Sequence, residues 1–231
     1  SDVYKRQTFT NTNRQVQMAR PAIETPGNAR QDWELIKELA IRIGLDWNYK
    51  DPSDVFAEMS KVMPSLANIT WERVERENSV TYPCLAPENP GEEIIFGDGF
   101  PTSSGRAKIV PVDIVPPDEL PDNEYPMILS TGRLLEHWHT GAMTRRAVNL
   151  DALEPEAIAC LNYRDMERLG VKPGELVSIK TRRGQISIKA REDRSVPENM
   201  IFVPFCFSEA AANILTNPQL DPLGKIPEFK F

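Results

Sequence analysis

The sequence predicts a mixed α/β and β chain, with helices and proline-rich coil up to about residue 120 and a small β-barrel carrying short helices after it. Three observations predict it. Apolar residues recur at helical spacing between 28 and 62, prolines and glycines crowd 81–126, and two arms of alternating apolar residues flank Arg182-Arg183-Gly184.

Ser1 to Gln7 are polar and patternless, and residues 1–7 read as a non-native junction outside the fold. From Asn28 onward, Trp33, Ile36, Leu39, Ala40 and Ile43 keep i, i+3, i+4 spacing, and Gly44 supplies a left-handed stop. A second helix starts at Ser53, turns Val55, Phe56, Met59 and Val62 inward, and stops at Pro64, which lacks the N–H that would continue it. A third begins at Thr70, whose hydroxyl can cap the first turn. Within 81–126 only 93–96 and 106–110 read as extended, so this stretch is a linker that wraps over a surface. A strand at 125–130 opens the second domain, with the boundary near residue 120. There, a short helix over 163–169 is framed by Asn162 and Gly170, and a hairpin sets Leu176, Val177 and Ile179 against Ile186 and Ile188. A strand over 200–205, a helical turn over 209–215 and a closing tail at 223–231 complete the barrel.

The 231 residues, 40% hydrophobic and 26% charged, suffice for one domain plus a partial second and resemble an ordinary globular composition. No apolar run approaches membrane-spanning length, and no secretory signal is written at the start. A net charge of −7 argues against a general nucleic-acid binder. That average hides an asymmetry, because residues 131–191 carry eleven Lys and Arg against seven Asp and Glu. Either a small polyanionic ligand or a salt-bridged surface accounts for the excess. Cys84, Cys160 and Cys206 are odd in number and far apart, which excludes a disulfide framework, fits a reducing compartment and makes buried thiols the default.

The most informative stretch runs from Ser130 to Arg146: it ends a strand and gathers Arg133, Arg145, Arg146, both histidines and Trp138 into one loop. Guanidinium forks pair bidentately with phosphate oxygens, and an aromatic plane can cover a heterocycle, so the loop reads as a grip for a large anion. Arg133, which follows Thr131-Gly132 at the strand end, reads as a ligand residue, whereas Arg145-Arg146 and Arg182-Arg183 read as solvated surface. His137 and His139 could share a zinc ion, but further ligands are missing, so the histidines read as donors to phosphate or backbone. Ser130 lacks a Gly-x-Ser-x-Gly elbow, and Thr102-Ser103-Ser104-Gly105 lacks the lysine of a phosphate-binding loop.

Several segments then point one way: Thr8-Phe9-Thr10-Asn11; Tyr125-Pro126 leading through Ile128 to Thr131-Gly132-Arg133; His137-Trp138-His139-Thr140-Gly141 continuing to Arg146; Phe207 through Glu209 and Asn213 to Thr216; and Lys225-Ile226-Pro227-Glu228-Phe229-Lys230. From about Thr8 to its end the chain resembles the C-terminal portion of the catalytic (alpha) subunit of molybdenum- or tungsten-dependent formate dehydrogenases, in the dimethyl sulfoxide reductase superfamily. The resemblance implies that 121–231 form a double-psi β-barrel binding molybdopterin guanine dinucleotide, one of a pair holding molybdenum or tungsten. It makes 8–120 the tail of a preceding α/β domain plus linker.

By that resemblance Thr131, Gly132, Arg133, Leu134, His137, Trp138, His139 and Thr140 line the pyrophosphate and pterin, Phe205 and Asn213 flank the cofactor, and Phe229 and Lys230 close over it. Phe229 stands where the family often has tyrosine. Neither a metal ligand nor a catalytic residue is expected in this chain, because the family's metal-ligating cysteine or selenocysteine, its catalytic histidine and its iron–sulfur cysteines lie upstream. The resemblance therefore implies a truncated gene product, inactive alone. Its partners would be the upstream domains and iron–sulfur or flavin electron-transfer subunits, in the cytoplasm or, alternatively, with a periplasmic parent. If the helices of 8–120 normally pack on a sheet outside the chain, Trp33, Ile36, Phe56 and Met59 form an exposed apolar patch. Rival readings are another superfamily member such as a nitrate reductase, and a stand-alone double-psi barrel acting as a binding or adaptor module.

Overall fold

The computed structural model describes residues 3–228, and the chain divides into two compact units, 1–111 and 112–231. The first unit holds an antiparallel sheet of β1 (Gln7–Thr10), β2 (Gln15–Ala19) and β3 (Ser79–Thr81), in that order. It also holds three helices: α1 (Asp32–Arg42), α2 (Pro52–Val62) and α3 (Trp71–Glu77). Thr70 caps α3 as expected, accepting from Arg73 N at 3.2 Å. On α2 the cap is Asp51, two residues before Ser53, and it accepts from Ser53 N at 2.7 Å with Pro52 at the first helical position.

The core of this unit gathers Val16, Phe56, Ile69, Trp71, Val74 and Val80. The exposed-patch expectation holds only for Ile36: Phe56 is buried, Met59 packs against the core and Trp33 is half-buried, because β2 and β3 supply the surface that Phe56 and Met59 need. The inward face expected of α2 is narrower than Val55 and Val62 suggested, as both are exposed. On α1 only Ala40 is buried, while Ile36, Leu39 and Ile43 stand 57%, 61% and 70% exposed. Residues 5–7, read as a junction, enter the fold: Gln7 pairs with Ala19, and the Arg6 guanidinium lies 5.1 Å over Trp71. No strand forms at 93–96 or 106–110.

The second unit is built on a five-stranded mixed sheet of β4 (Ile128–Gly132), β5 (Ile158–Leu161), β6 (Leu176–Lys180), β7 (Gln185–Glu192) and β8 (Met200–Pro204). Its order is β4-β8-β5-β7-β6, with β4 parallel to β8 and β5 parallel to β7. The hairpin β6–β7 pairs Val177 with Ile188 and Ile179 with Ile186, as the alternation predicted. Strand β5 has no alternation to read, since all four residues are buried between two neighbours. Helix α4 (Val148–Leu153) follows the loop, and α5 (Tyr163–Leu169) runs from an Asn162 cap to left-handed Gly170. The core joins Leu129, Leu161, Ile186, Ile188, Val203 and Leu215. All three cysteines are free and buried. Among the described residues no helix is long and apolar enough to cross a membrane.

Candidate functional site

Strands β4 and β8 run parallel in the register Thr131 to Val203 and Gly132 to Pro204, so the chain leaves both at the same edge of the sheet. Carboxyl ends of neighbouring parallel strands are where open sheets form ligand crevices. Phe205 N donates to Gly132 O at 3.2 Å, which fastens the two exits together. A side chain at Gly132 would lie 2.6 Å from the Phe202 ring, so only glycine fits this crossing. The loop 133–146 follows β4; the segment after β8 makes two 3₁₀ turns, Ser208–Ala210 and Ala212–Ile214.

Part of the loop is an internal frame. His137 is 2% exposed, and its Nε2 donates to the Glu154 carbonyl at 2.7 Å. With the ring proton there, Nδ1 accepts from the Thr144 hydroxyl at 3.3 Å, and that hydroxyl in turn accepts from Trp138 N at 3.0 Å. His139 (φ 50°) and Gly141 (φ 73°) turn the chain between these anchors, and Gly141 N donates to Trp138 O at 2.9 Å. The His137 ring is thus spent on holding the loop. The Glu154 carboxylate pairs with Arg191 at 2.8 Å, a bond that holds its carboxyl below the usual range. Burial pushes the Cys206 thiol up, in keeping with a packing role.

Other loop residues face outward. Arg133, Trp138, His139, Thr140 and Arg146 are exposed, and the Trp138 and His139 rings meet edge-on at 4.6 Å. Thr131, Gly132 and Leu134 are half-buried at the strand end, and Leu134 bridges to His137. Phe205 is half-buried against the core, and Asn213 is exposed on its 3₁₀ turn. Phe229 and Lys230 lie outside the described residues.

The charge excess resolves into two parts. Seven of the eleven cations between 131 and 191 sit in ion pairs: Arg145, Arg164, Arg168, Arg182, Arg183, Lys189 and Arg191. The hairpin arginines pair with Glu119 and Asp122, and Arg182 also lies 4.7 Å over Tyr125. Among the described residues Arg133, Arg146, Lys172 and Lys180 form no ion pair, and the first two belong to the loop. Sequence reasoning placed Thr144, Phe207 and Glu209 within the segments that carry the resemblance but gave them no role, and it missed Glu154, because the contacts that make them a frame join distant segments.

The donor set suits a multiply charged anion bearing a heterocycle: two unpartnered guanidinium groups, an exposed imidazole, an indole and an amide. A cavity of about 480 Å³ elsewhere in this unit is lined mainly by apolar side chains, among them Leu129, Leu161, Val177, Ile179 and Ile201, with Lys180 and the ion-paired Arg182 also on its lining. The loop, which holds two of the four cations without an ion pair together with both histidines and Trp138, is the candidate site.

Residues 127–231 match the family described as molydopterin dinucleotide binding domain, and residues 5–42 match molybdopterin oxidoreductase. The F420-dependent formate dehydrogenase subunit alpha of Methanocaldococcus jannaschii is 44% identical over 96% of this chain and 33% of that protein. The F420-dependent formate dehydrogenase 1 subunit alpha of Methanococcus maripaludis is 39% identical with the same coverage, so the chain spans about a third of these relatives. The solved structure of acetylene hydratase from Pelobacter acetylenicus superposes with a TM-score of 0.73 at 20% identity, over 99% of this chain and 36% of that one, which speaks to fold alone.

Proposed function

We propose that this chain, which belongs to the molybdopterin oxidoreductases and carries their dinucleotide-binding domain at 127–231, binds molybdopterin guanine dinucleotide through the loop after β4. The observation that carries the reading is the pair Arg133 and Arg146, exposed and without an ion partner among the described residues in a unit where most neighbouring cations are paired. Exposed guanidinium groups without an ion partner can each take a phosphate without first breaking a salt bridge. In this reading Arg133 and Arg146 neutralise the diphosphate, Thr131, Gly132 and Thr140 offer polar groups at the strand end, and His139 donates beside them. Trp138 covers a ring, Leu134 and Phe205 exclude water, Asn213 donates to the nucleotide end, and Phe229 with Lys230 completes the enclosure. His137 serves by shaping the loop.

The domain reading accompanies it: 121–231 as a double-psi β-barrel, 8–120 as part of a preceding α/β domain with its linker. The parent enzyme is a formate dehydrogenase-like oxidoreductase, a reading supported by the alpha-subunit relatives. When bound in its bis form, the cofactor supplies a molybdenum or tungsten centre that accepts two electrons as formate becomes carbon dioxide. Iron–sulfur clusters belong to regions upstream of this chain, with iron–sulfur or flavin subunits as partners in the cytoplasm. This chain's residues bind, orient and shield.

Calorimetric titration with pyrophosphate and with guanosine diphosphate tests the reading. Binding should occur at low salt, weaken as salt rises, and fall by about tenfold or more in Arg133→Gln and in Arg146→Gln, the scale of a lost charge-assisted hydrogen bond. Absent binding, or binding untouched by the double variant, refutes it.

A further inference from the structure

We propose that Arg145 is a positioning residue: with His137 it clasps Phe207 and fixes the anion loop in its binding shape before any ligand arrives. The inference rests on the cofactor reading above for what the loop binds, but not for what holds it. Phe207 is 1% exposed. The His137 ring meets it edge-on at 5.7 Å, and the Arg145 guanidinium lies 4.8 Å over it. All three guanidinium nitrogens of Arg145 are engaged. Nη1 donates to both Glu209 carboxylate oxygens at 2.8 and 2.6 Å, Nε to Asp151 at 3.3 Å, and Nη2 to the Pro155 carbonyl at 3.3 Å.

These contacts tie the loop to three separate places: α4, the residues just after it, and the turn that follows β8. Little hydrogen-bonding capacity remains on Arg145 for a ligand. Its neighbour Arg146 is exposed and unpaired among the described residues, because successive residues of the 3₁₀ turn Thr144–Arg146 project about 120° apart. One arginine of the pair therefore faces the protein and the other faces solvent. Gly141 completes the fit: a Cβ there would stand 2.8 Å from Cys206 O and 2.9 Å from Arg145 Cγ. A loop fixed in advance loses less entropy on binding, so its fastening raises affinity without touching the ligand.

Hydrogen exchange of the loop amides, read by mass spectrometry on the full chain without ligand, tests the clasp directly. In Arg145→Gln the amides of Trp138, Gly141 and Arg145's position should exchange on the order of tenfold faster, while those of β5 keep wild-type protection. Arg145→Lys, which keeps the charge but loses the fork, should fall between, as should Glu209→Gln, which leaves Arg145 intact should the first variant fold poorly. Pyrophosphate titration of the same variants should show affinity falling in step with exchange. Unchanged loop exchange in folded Arg145→Gln or Glu209→Gln overturns the proposal, as does faster exchange with pyrophosphate affinity equal to wild type. Faster exchange in a chain whose wild type binds no pyrophosphate would uphold the clasp and refute the cofactor reading instead.

Discussion

Replacing Asn162 isolates a junction on which the second unit depends. Its side chain does two jobs at once: Oδ1 caps α5 by accepting from Arg164 N at 3.0 Å, and Nδ2 donates to the Val196 carbonyl at 2.8 Å. Asn162 is only 9% exposed and Val196 7%, so water cannot readily replace either bond. Asn162→Ala removes a cap, about 1 kcal/mol, and leaves a buried carbonyl unpaired, about 1–3 kcal/mol. The expected loss is about 2–4 kcal/mol, or on the order of 10 °C in melting temperature for a unit of this size. Asn162→Ser keeps a capping oxygen and loses only the reach to Val196, so it should recover about 1 kcal/mol of that loss. Urea denaturation followed by circular dichroism measures both, through a shifted midpoint at constant slope. If both variants fall within about 0.5 kcal/mol of wild type, the range of an ordinary surface change, the two-bond account is wrong.

Two further outcomes follow from the same geometry. Gly141→Ala should destabilise the unit by at least about 1–2 kcal/mol, the left-handed penalty alone, with the close approach to Cys206 O adding to it; wild-type stability in the same denaturation series would contradict the stated backbone. The Arg191 hydrogen bond lowers the Glu154 carboxyl pKa below its ordinary value of 4.5. A carboxyl depressed in the folded state contributes stability that is present above its unfolded pKa and is lost as pH falls through the folded one. Stability should therefore decline below about pH 4.5, and Glu154→Gln should flatten that part of the profile; an unchanged slope would show that the pair does not contribute.

Legibility in the sequence followed locality. Helix α5 carries its own cap, apolar face and left-handed stop within nine residues, 162–170, so its bounds could be read directly. The β6–β7 hairpin was equally plain, because alternation on both arms has one interpretation when a short turn joins them. Strands β1, β2 and β3 went unread: β2 alternates Gln15, Val16, Gln17 and Met18 and pairs with β1 across 11–14, yet the polar start of the chain drew no strand reading, and its other partner β3, three residues long, lies some sixty residues away. Strand β5 hid for the opposite reason: a wholly buried four-residue run has no polar face to mark it.

The sequence by itself determined that an arginine- and histidine-rich loop ends a strand, that the cysteines form no framework, and that the chain resembles the molybdopterin oxidoreductases. Which loop residues face a ligand was decided only in three dimensions. His137 and Arg145 carry the same chemistry as His139 and Arg146, yet Glu154, Phe207 and Glu209 claim the first pair and leave the second exposed. The physical reason is competition for partners: a donor's role depends on whether acceptors from distant segments reach it before a ligand does, and a one-dimensional pattern does not contain those distances.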